Sequence, residues 1–278
     1  MIQPSKLAAV IGWPIAQSKS PAIHGYWLKK HGIDGFYLPI AMPPAGFRAG
    51  VRKMMALGFS GANVTIPHKE AALAMAQEAT ARAREIGAAN TLVFRGDGSI
   101  LADNTDGEGF LNNLLQYQPD WSAAAGPALV LGAGGAARAV IHALLQSGAP
   151  RVMLANRTRS RARNLRDHFG LRVKVVDWDD LPVVMPEAAT LVNTTSLGMT
   201  GQPPLKVSLR GMPVDTLVTD LVYNPLMTDL LVAAQQRGNP VVDGLGMLLH
   251  QAVPGFEAWF GVRPVVDDAL RELVLAQK

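Results

Sequence analysis

The sequence predicts an α/β protein of two domains, with a mostly parallel sheet in the first. Short apolar runs typical of buried strands alternate with helical patterns along the chain, and this alternation favours right-handed crossovers and parallel strands. At 278 residues the chain is long enough for two cores. A glycine-rich turn at residues 132–137 then indicates a second α/β unit.

The first half predicts strands at residues 6–12, 36–41 and 61–66 and a hairpin formed by 88–94 and 100–102. Helices are expected at residues 20–30, 44–57, 71–79 and 108–117, with a short one ending near Gly87. Pro21 directly follows Ser20, which indicates an N-cap serine with proline in the first helical position. From this loop alone, simple capping by Ser20 is at least as good an explanation as contact with a ligand.

The second half predicts strands at residues 129–131, 151–155, 173–176, 191–193, 217–223 and 241–242. Helices are expected at 138–146, 161–169 and 228–236, and the final helices at 244–260 and 266–276. The alanine-rich stretch 121–127 is interpreted as a joint between the halves.

The turn after the strand at 129–131 has the pattern of a dinucleotide-binding site. Gly132 allows a sharp turn, Gly134 leaves room for a pyrophosphate, and Ala137 allows close packing of helix on strand. The free N–H groups of the new helix would face the phosphates. An ordinary strand-to-helix turn is the alternative, but the following strand favours a Rossmann-type domain.

That following strand ends in Asn156-Arg-Thr-Arg-Ser-Arg161, where an NAD-specific site would carry a carboxylate for the ribose 2′-hydroxyl. Guanidinium groups instead bind a 2′-phosphate. A solvated basic helix start is the alternative, yet positive charge there opposes the helix dipole unless an anion offsets it. The sequence therefore predicts NADP(H) as cofactor.

Polar side chains cluster at the predicted strand ends of the first half, where ligands of parallel α/β sheets bind. They are Ser18, Ser20, Asn63, Thr65, Lys69, Asn90 and Asp106. Hydroxyls, amides, one amine and one carboxylate suit a small, hydroxyl-rich anion.

Lys69 and Asp106 are the charged pair of this set that could move a proton during hydride transfer. A carbonyl oxygen must gain a proton as hydride reaches its carbon, and a partly desolvated lysine beside a carboxylate can exchange that proton. Taken singly, Lys69 could be a solvated lysine at a helix start and Asp106 an Asx-turn residue before Gly107.

Composition excludes several classes of protein. The chain has no cysteine, hence no disulfide or thiolate site, and its six histidines are not spaced with carboxylates as metal ligands. A net charge of +4 without an aromatic-interleaved basic stripe argues against nucleic acid. We expect no membrane segment or signal peptide and a cytoplasmic location.

Seven motifs together resemble the shikimate dehydrogenase family. They are Asn63-Val-Thr-Ile-Pro-His-Lys69, Asn104-Thr-Asp-Gly107, Gly132-Ala-Gly-Gly-Ala-Ala137, Asn156-Arg-Thr158, Asn193-Thr-Thr-Ser-Leu-Gly-Met199, Tyr223-Asn-Pro225 and Asp243-Gly-Leu-Gly-Met-Leu-Leu-His-Gln-Ala252. The resemblance implies reversible NADPH-dependent reduction of 3-dehydroshikimate to shikimate, in the pathway to chorismate and the aromatic amino acids. Thr194 departs from the alanine more usual in the family's Asn-Ala-Thr-Ser loop.

Carried over by motif, the resemblance gives Lys69 and Asp106 the catalytic roles. Ser18 and Ser20 would hold the substrate carboxylate, with Tyr223 nearby, and the ring hydroxyls would bind Thr65, Asn90, Asp106 and Gln251. The cofactor residues would be Gly132, Ala133, Gly134, Gly135 and Ala136 at the pyrophosphate, Asn156, Arg157, Thr158 and Arg161 at the 2′-phosphate, and Leu221, Gly244 and Met247 near the nicotinamide.

The resemblance implies a substrate-binding and catalytic domain at residues 1–107, completed by C-terminal helices at about 250–278, and a Rossmann NADP-binding domain at 108–249. It leaves open a quinate/shikimate dehydrogenase of broader range, although Arg157 argues against the NAD preference of such enzymes. A sensor that has lost its chemistry is the other alternative, but Lys69 and Asp106 are both present. The chain is expected to be a monomer or homodimer.

Overall fold

The computed structural model describes residues 5–277 and divides the chain into two compact α/β units. One unit contains the residues up to Asp106 together with those from Leu249 onward, and the other contains Gly107–Leu248. The C-terminal helices therefore return to the first unit. This arrangement confirms the predicted fold class.

The strands form two six-stranded sheets. In chain order they are β1 Lys6–Gly12, β2 Gly35–Ala41, β3 Phe59–Val64, β4 Glu78–Ala79, β5 Thr91–Phe94, β6 Ile100–Asp103, β7 Ala128–Leu131, β8 Val152–Ala155, β9 Val173–Val176, β10 Thr190–Asn193, β11 Leu217–Asp220 and β12 Val241–Val242.

The helices connect and cover these strands. In chain order they are α1 Ser20–Lys30, α2 Phe47–Ala56, α3 Lys69–Met75, α4 Ala81–Ile86, α5 Asp106–Tyr117, α6 Gly135–Gln146, α7 Arg159–Phe169, α8 Leu181–Val184, α9 Asp229–Gln236, α10 Leu245–His250, α11 Val253–Phe260 and α12 Asp268–Ala276.

The sheet of the first unit has the order β2-β1-β3-β5-β6-β4. Its strands β1, β2 and β3 are parallel, β4 is parallel to β6, and β5 is antiparallel to both of its neighbours. The sheet of the second unit is parallel throughout, with the order β12-β11-β10-β7-β8-β9. In such sheets the loops after the strands carry the ligand-binding groups.

The predicted helix at residues 71–79 is wrong at both ends. Helix α3 begins two residues earlier, at Lys69, and ends at Met75, while Glu78–Ala79 pairs with β6. Gln77 helps to hold this strand because its Oε1 accepts from the Ile100 backbone N–H at 2.9 Å. Pairing with a distant strand has thus overridden the helix propensity of the alanine-rich segment.

The predicted continuous helix at residues 244–260 is also wrong, because the structure breaks it into α10 and α11. Pro254 lies in the first turn of α11, where a missing N–H costs nothing, whereas a longer helix would place it in the interior. The break places Gln251 in the turn between the two helices.

Two further expectations are corrected. The stretch 121–127 is no joint, since it lies inside the second unit, where Ala123 is buried and Trp121 packs against the core. Strand β11 ends at Asp220, so Leu221, Val222 and Tyr223 form a loop.

Candidate active site

Lys69 and Asp106 form an ion pair in the first unit. Each is the first residue of a helix, α3 after the loop from β3 and α5 after the loop from β6. The Lys69 side chain is 20% exposed and that of Asp106 is 9% exposed, so the pair is largely shielded but still reachable. The Lys69 ammonium group donates to Asp106 Oδ2, which orients the amine.

Asn90 fixes the other carboxylate oxygen. Its Nδ2 donates to Asp106 Oδ1 at 2.8 Å, and it also lies 3.0 Å from Thr105 Oγ1 and 3.3 Å from Gln251 Oε1. An amide nitrogen carries only two hydrogens for these three acceptors. The amide can therefore serve only two of the three acceptors at one time.

Thr105, which the sequence analysis did not single out, joins Asn90 to Gln251. Its hydroxyl donates to the Gln251 backbone oxygen at 2.7 Å, and its backbone N–H donates to Asn90 Oδ1 at 2.9 Å. Gln251 thereby lies beside Asn90 although 161 residues separate them in the chain. The available signal was the position of Thr105 within Asn104-Thr-Asp106, next to the proposed carboxylate.

A salt bridge between Arg82 and Asp103 holds the loop that precedes Asp106, and it was not predicted from the sequence. Arg82 Nε donates to Asp103 Oδ1 at 2.7 Å, and Thr80 Oγ1 donates to the same oxygen at 2.6 Å. Burial opposes ionisation of Asp103, but these bonds outweigh it and lower the pKa of Asp103. The Asn104 N–H also donates to Asp103 Oδ1, so the carboxylate fixes the start of the loop that carries Asp106.

Thr65 follows β3 and is half-buried. Its N–H donates to the Ile11 oxygen at 2.9 Å, and its Cγ2 lies only 2.6 Å from where a Cβ on Gly12 would be. Glycine at position 12 is thus what lets the Thr65 loop lie against β1. Asn63, by contrast, is buried within β3 and uses both ends of its amide on protein partners, Tyr37 and Thr91 among them.

Ser20 is not the N-cap that the sequence suggested. The capping position is Lys19, no side chain caps the helix, and Ser20 is its first residue. The Ser20 side chain is buried, and the nearby Tyr37 hydroxyl donates to Asn63 Oδ1 at 2.6 Å. Ser18 lies next to it and accepts from the Ser20 N–H at 3.3 Å.

His24 stacks on Tyr37 with a ring separation of 3.8 Å, and burial lowers the pKa of His24 to about 3. An unfolded histidine titrates near 6.5, so between these values the unfolded state binds a proton that the native state does not. Stability should therefore fall as the pH drops below 6.5. Urea unfolding should show a loss of about 2 kcal/mol from this group between about pH 7 and about pH 5.

Phenylalanine at position 24 keeps an aromatic ring on Tyr37 but removes the titration. We expect His24→Phe to lose less stability on acidification than the parent, whereas His31→Gln, on the exposed end of α1, should follow the parent. Equal acid sensitivity of His24→Phe and the parent would contradict this account.

The glycine-rich turn of the second unit lies between β7 and α6. Gly132 has φ +106°, and a Cβ there would meet Thr194 Oγ1 at 2.7 Å, so no larger residue fits. A Cβ on Gly134 or Gly135 would meet nothing within 4 Å. This open space lies at the start of α6, whose first turn contains no acidic residue.

The Asn156 side chain holds the rest of the turn. Asn156 Oδ1 accepts from the Ala133 N–H at 3.1 Å, and Asn156 Nδ2 donates to the Thr158 oxygen at 2.8 Å. Ala136 lies in the first turn of α6, and Ala137 is fully buried in the core beneath it. Asn156 therefore couples the glycine turn to the basic segment.

Arginines 157, 159 and 161 are exposed in this basic segment, and they are not equivalent. Arg159 pairs with Asp177, at the end of β9. Within residues 5–277, no carboxylate pairs with Arg157 or Arg161. These two remain available to an anion.

The residues assigned to the nicotinamide lie near the end of β11 or in α10. The Leu221 N–H donates to the Asn193 oxygen at 2.9 Å, and a Cβ on Gly244 would lie 2.5 Å from the Leu221 carbonyl carbon and oxygen. Met247 is buried. Tyr223 is half-buried, and burial raises its pKa. Tyr223 belongs to the second unit, whereas the other predicted substrate residues belong to the first.

The described part of the chain meets neither the requirements of a metal-binding cluster nor those of a membrane-spanning helix. In residues 5–277, no three or more His, Cys, Asp or Glu side chains are arranged to hold a metal ion. No helix of that range has the length and apolar character to cross a bilayer.

Three family models match the chain. They describe the shikimate dehydrogenase substrate binding domain at residues 10–92, shikimate / quinate 5-dehydrogenase at 117–199, and the shikimate 5′-dehydrogenase C-terminal domain at 244–273. The three matches follow the chain in order.

Known proteins are similar over nearly the whole chain. A shikimate dehydrogenase (NADP(+)) from Paracoccus denitrificans is 58% identical, covering 97% of this chain and 96% of the relative. The shikimate 5-dehydrogenase from Thermus thermophilus, solved in complex with NADP(H) and shikimate, is 37% identical with a TM-score of 0.85 over 97% of this chain and 98% of that one. A quinate dehydrogenase from Corynebacterium glutamicum, solved in complex with NAD, is 31% identical with a TM-score of 0.91 over 98% of this chain and 99% of that one. The chain therefore belongs to the shikimate dehydrogenase family.

Proposed function

We propose that the chain catalyses the reversible NADPH-dependent reduction of 3-dehydroshikimate to shikimate, a step toward chorismate and the aromatic amino acids. The observation that carries the proposal is the shielded Lys69–Asp106 pair with Asn90 on its second carboxylate oxygen. The names of the Paracoccus and Thermus proteins support the choice of substrate and cofactor.

The first unit would bind the substrate through groups of complementary chemistry. The neighbouring hydroxyls of Ser18 and Ser20 would hold its carboxylate. Thr65, Asn90, Asp106 and Gln251 would bind the ring hydroxyls, and a hydroxyl could donate to the acceptor that the two hydrogens of the Asn90 amide do not serve. Tyr223, from the second unit, would lie near the carboxylate.

Lys69 and Asp106 would handle the proton. As negative charge builds on the carbonyl oxygen, the Lys69 ammonium group donates a proton to it, and in the reverse direction the amine takes that proton back. Asp106 orients the amine through Oδ2 and accepts from a substrate hydroxyl. The low exposure of both side chains limits competition from water.

The second unit offers a site that fits NADP(H). The open space above Gly134 and Gly135 suits a pyrophosphate at the start of α6, with Gly132, Ala133 and Ala136 completing the turn. Arg157 and Arg161 suit a 2′-phosphate, with Asn156 and Thr158 between the glycine turn and α7. Leu221, Gly244 and Met247 would border the nicotinamide. When bound, the cofactor supplies the hydride.

We accordingly propose a substrate-binding and catalytic domain at residues 1–107, completed by the helices at about 250–278, and an NADP-binding domain at 108–249. We further propose a cytoplasmic enzyme that is a monomer or homodimer. Sedimentation of the purified protein would decide between the two assembly states.

The reaction is tested by mixing the purified chain with NADPH and 3-dehydroshikimate and identifying the product by chromatography. Equal consumption of NADPH and formation of shikimate is the expected outcome. Absence of shikimate while NADPH remains unchanged would overturn the proposal.

Broader activity on quinate is the second candidate, favoured by the similarity to the quinate dehydrogenase structure. Arg157 argues against its NAD preference, because no neighbouring acidic group is available to hold a ribose 2′-hydroxyl within Asn156-Arg-Thr-Arg-Ser-Arg161. A sensor without chemistry is disfavoured by the intact Lys69–Asp106 pair.

Arg157→Asp should raise the Michaelis constant for NADP at least about tenfold and leave that for shikimate nearly unchanged. A charge-assisted contact contributes roughly 1.5–3 kcal/mol, equivalent to about one to two decades of affinity. The matched control is Arg163→Asp, the same charge change farther along α7. Steady-state kinetics that show equal NADP constants for the two variants would contradict the 2′-phosphate assignment.

A further inference from the structure

Asp220 is a buried carboxylate that the proposed reaction does not use. It is the last residue of β11 and has no exposed surface. Burial raises the pKa of Asp220 to about 6, although three hydrogen bonds oppose the shift. All three donors are neutral groups, namely Asn193 Nδ2, the Val222 N–H and Thr228 Oγ1. Burying a carboxyl group costs free energy, which indicates that Asp220 has a role in this position.

The two donors to Oδ1 lie at the end of β10 and in the loop after β11, next to residues assigned to the cofactor. Asn193 Nδ2 donates at 2.9 Å and the Val222 N–H at 3.0 Å. With its amide so oriented, Asn193 presents Oδ1 to the backbone N–H and hydroxyl of Thr195, at 3.0 Å and 2.7 Å. One carboxylate oxygen therefore fixes both the loop after β10 and the loop after β11.

These loops touch residues assigned to the cofactor. Thr194 Oγ1 and Thr195 Cγ2 lie 2.7 Å and 2.8 Å from where a Cβ on Gly132 would be, so the loop after β10 packs directly on the glycine turn. The loop after β11 contains Leu221, whose backbone N–H donates a hydrogen bond to the Asn193 backbone oxygen. Oδ2 instead accepts from Thr228, the residue that caps α9.

We propose that Asp220 is a positioning residue for NADP, which acts by holding Asn193 and Val222 through Oδ1 so that both loops keep the shape of the cofactor site. The inference rests on the cofactor assignments of the proposed function. It requires an acceptor oxygen at this position rather than a negative charge. Asparagine can supply that oxygen in the same place.

The test is calorimetric titration of the full-length protein with NADP⁺ and, separately, with shikimate. Asp220→Ala should weaken NADP⁺ binding at least about tenfold, since Asn193 and Val222 lose the acceptor that Oδ1 provides, and should leave shikimate binding within about twofold. Asp220→Asn should bind NADP⁺ within about threefold of the parent. Asn193→Ala removes the other side of the contact and should repeat the selective loss, which keeps the test decisive if Asp220→Ala does not fold.

Thr228→Val is the structural control, because it removes the donor to Oδ2 and the side-chain cap of α9 but keeps both contacts of Oδ1, and it should lower the melting temperature without changing NADP⁺ affinity. Equal weakening of both ligands, or unchanged NADP⁺ binding in Asp220→Ala and Asn193→Ala, would overturn the inference. So would a parent that does not bind NADP⁺. Because the titration needs no turnover, a parent that binds NADP⁺ but does not oxidise shikimate would refute the proposed reaction and not this inference.

Discussion

Lys69→Ala should lower turnover by about two to four decades, the usual contribution of a positioned acid–base group, while the Michaelis constant for shikimate changes far less. Without the amine, the proposed proton donor is absent, and Asp106 has lost the group that it orients. The measurement is steady-state kinetics at saturating shikimate and NADP. Lys69→Met retains most of the side-chain volume and should be equally inactive.

A control lysine separates this effect from a general loss of positive charge. Lys53→Ala, on the exposed surface of α2, should retain full turnover. If Lys69 only bound substrate, Lys69→Ala would raise the Michaelis constant and keep most of the turnover. Turnover of the folded variant within a few-fold of the parent would contradict its role as the acid–base group.

Asp106→Asn should damage both turnover and shikimate binding. The amide loses the charge that orients the Lys69 amine, and only one of its two polar atoms can still accept a hydrogen bond. The loss of a charged contact costs roughly 1.5–3 kcal/mol. We therefore expect the ratio of turnover to the Michaelis constant for shikimate to fall by about one to two decades. Kinetics with varied shikimate at saturating NADP measure the ratio.

The matched control is Asp97→Asn, which makes the same change in an exposed turn between β5 and β6. It should behave as the parent. If Asp106→Asn changes only the NADP constants, the placement of Asp106 at the substrate is wrong.

The elements with local signals could be predicted from the sequence. The strand, glycine turn and helix around Gly132 could be predicted because a sharp turn and close helix packing require small residues at fixed positions. In the structure Gly132 has a positive φ and Ala137 is buried. By contrast, β4 exists because Glu78 and Ala79 find a partner in β6, which no local pattern shows. The burial of Ser20 likewise could not be predicted, because its local sequence indicated a capping serine.

The candidate site shows the same limit. Physical reasoning singled out Lys69 and Asp106 as a charged pair, but the assignment of Gln251 came from family resemblance, because 161 residues separate it from Asn90. Asp220 was not predicted to have a role, because an aspartate after Leu217-Val-Thr219 looks like any polar residue at the end of a strand. Its role is indicated only by the three hydrogen-bond donors that the fold brings to its carboxylate.

The central claim is that this chain oxidises shikimate with NADP. The most direct measurement is the rate of nucleotide reduction by the purified protein with shikimate or quinate and with NADP or NAD, in all four combinations. The account predicts that shikimate with NADP gives the highest ratio of turnover to Michaelis constant, by at least about tenfold over shikimate with NAD, because Arg157 and Arg161 favour a 2′-phosphate. A preference for quinate with NAD, or no reduction in any combination, would contradict it.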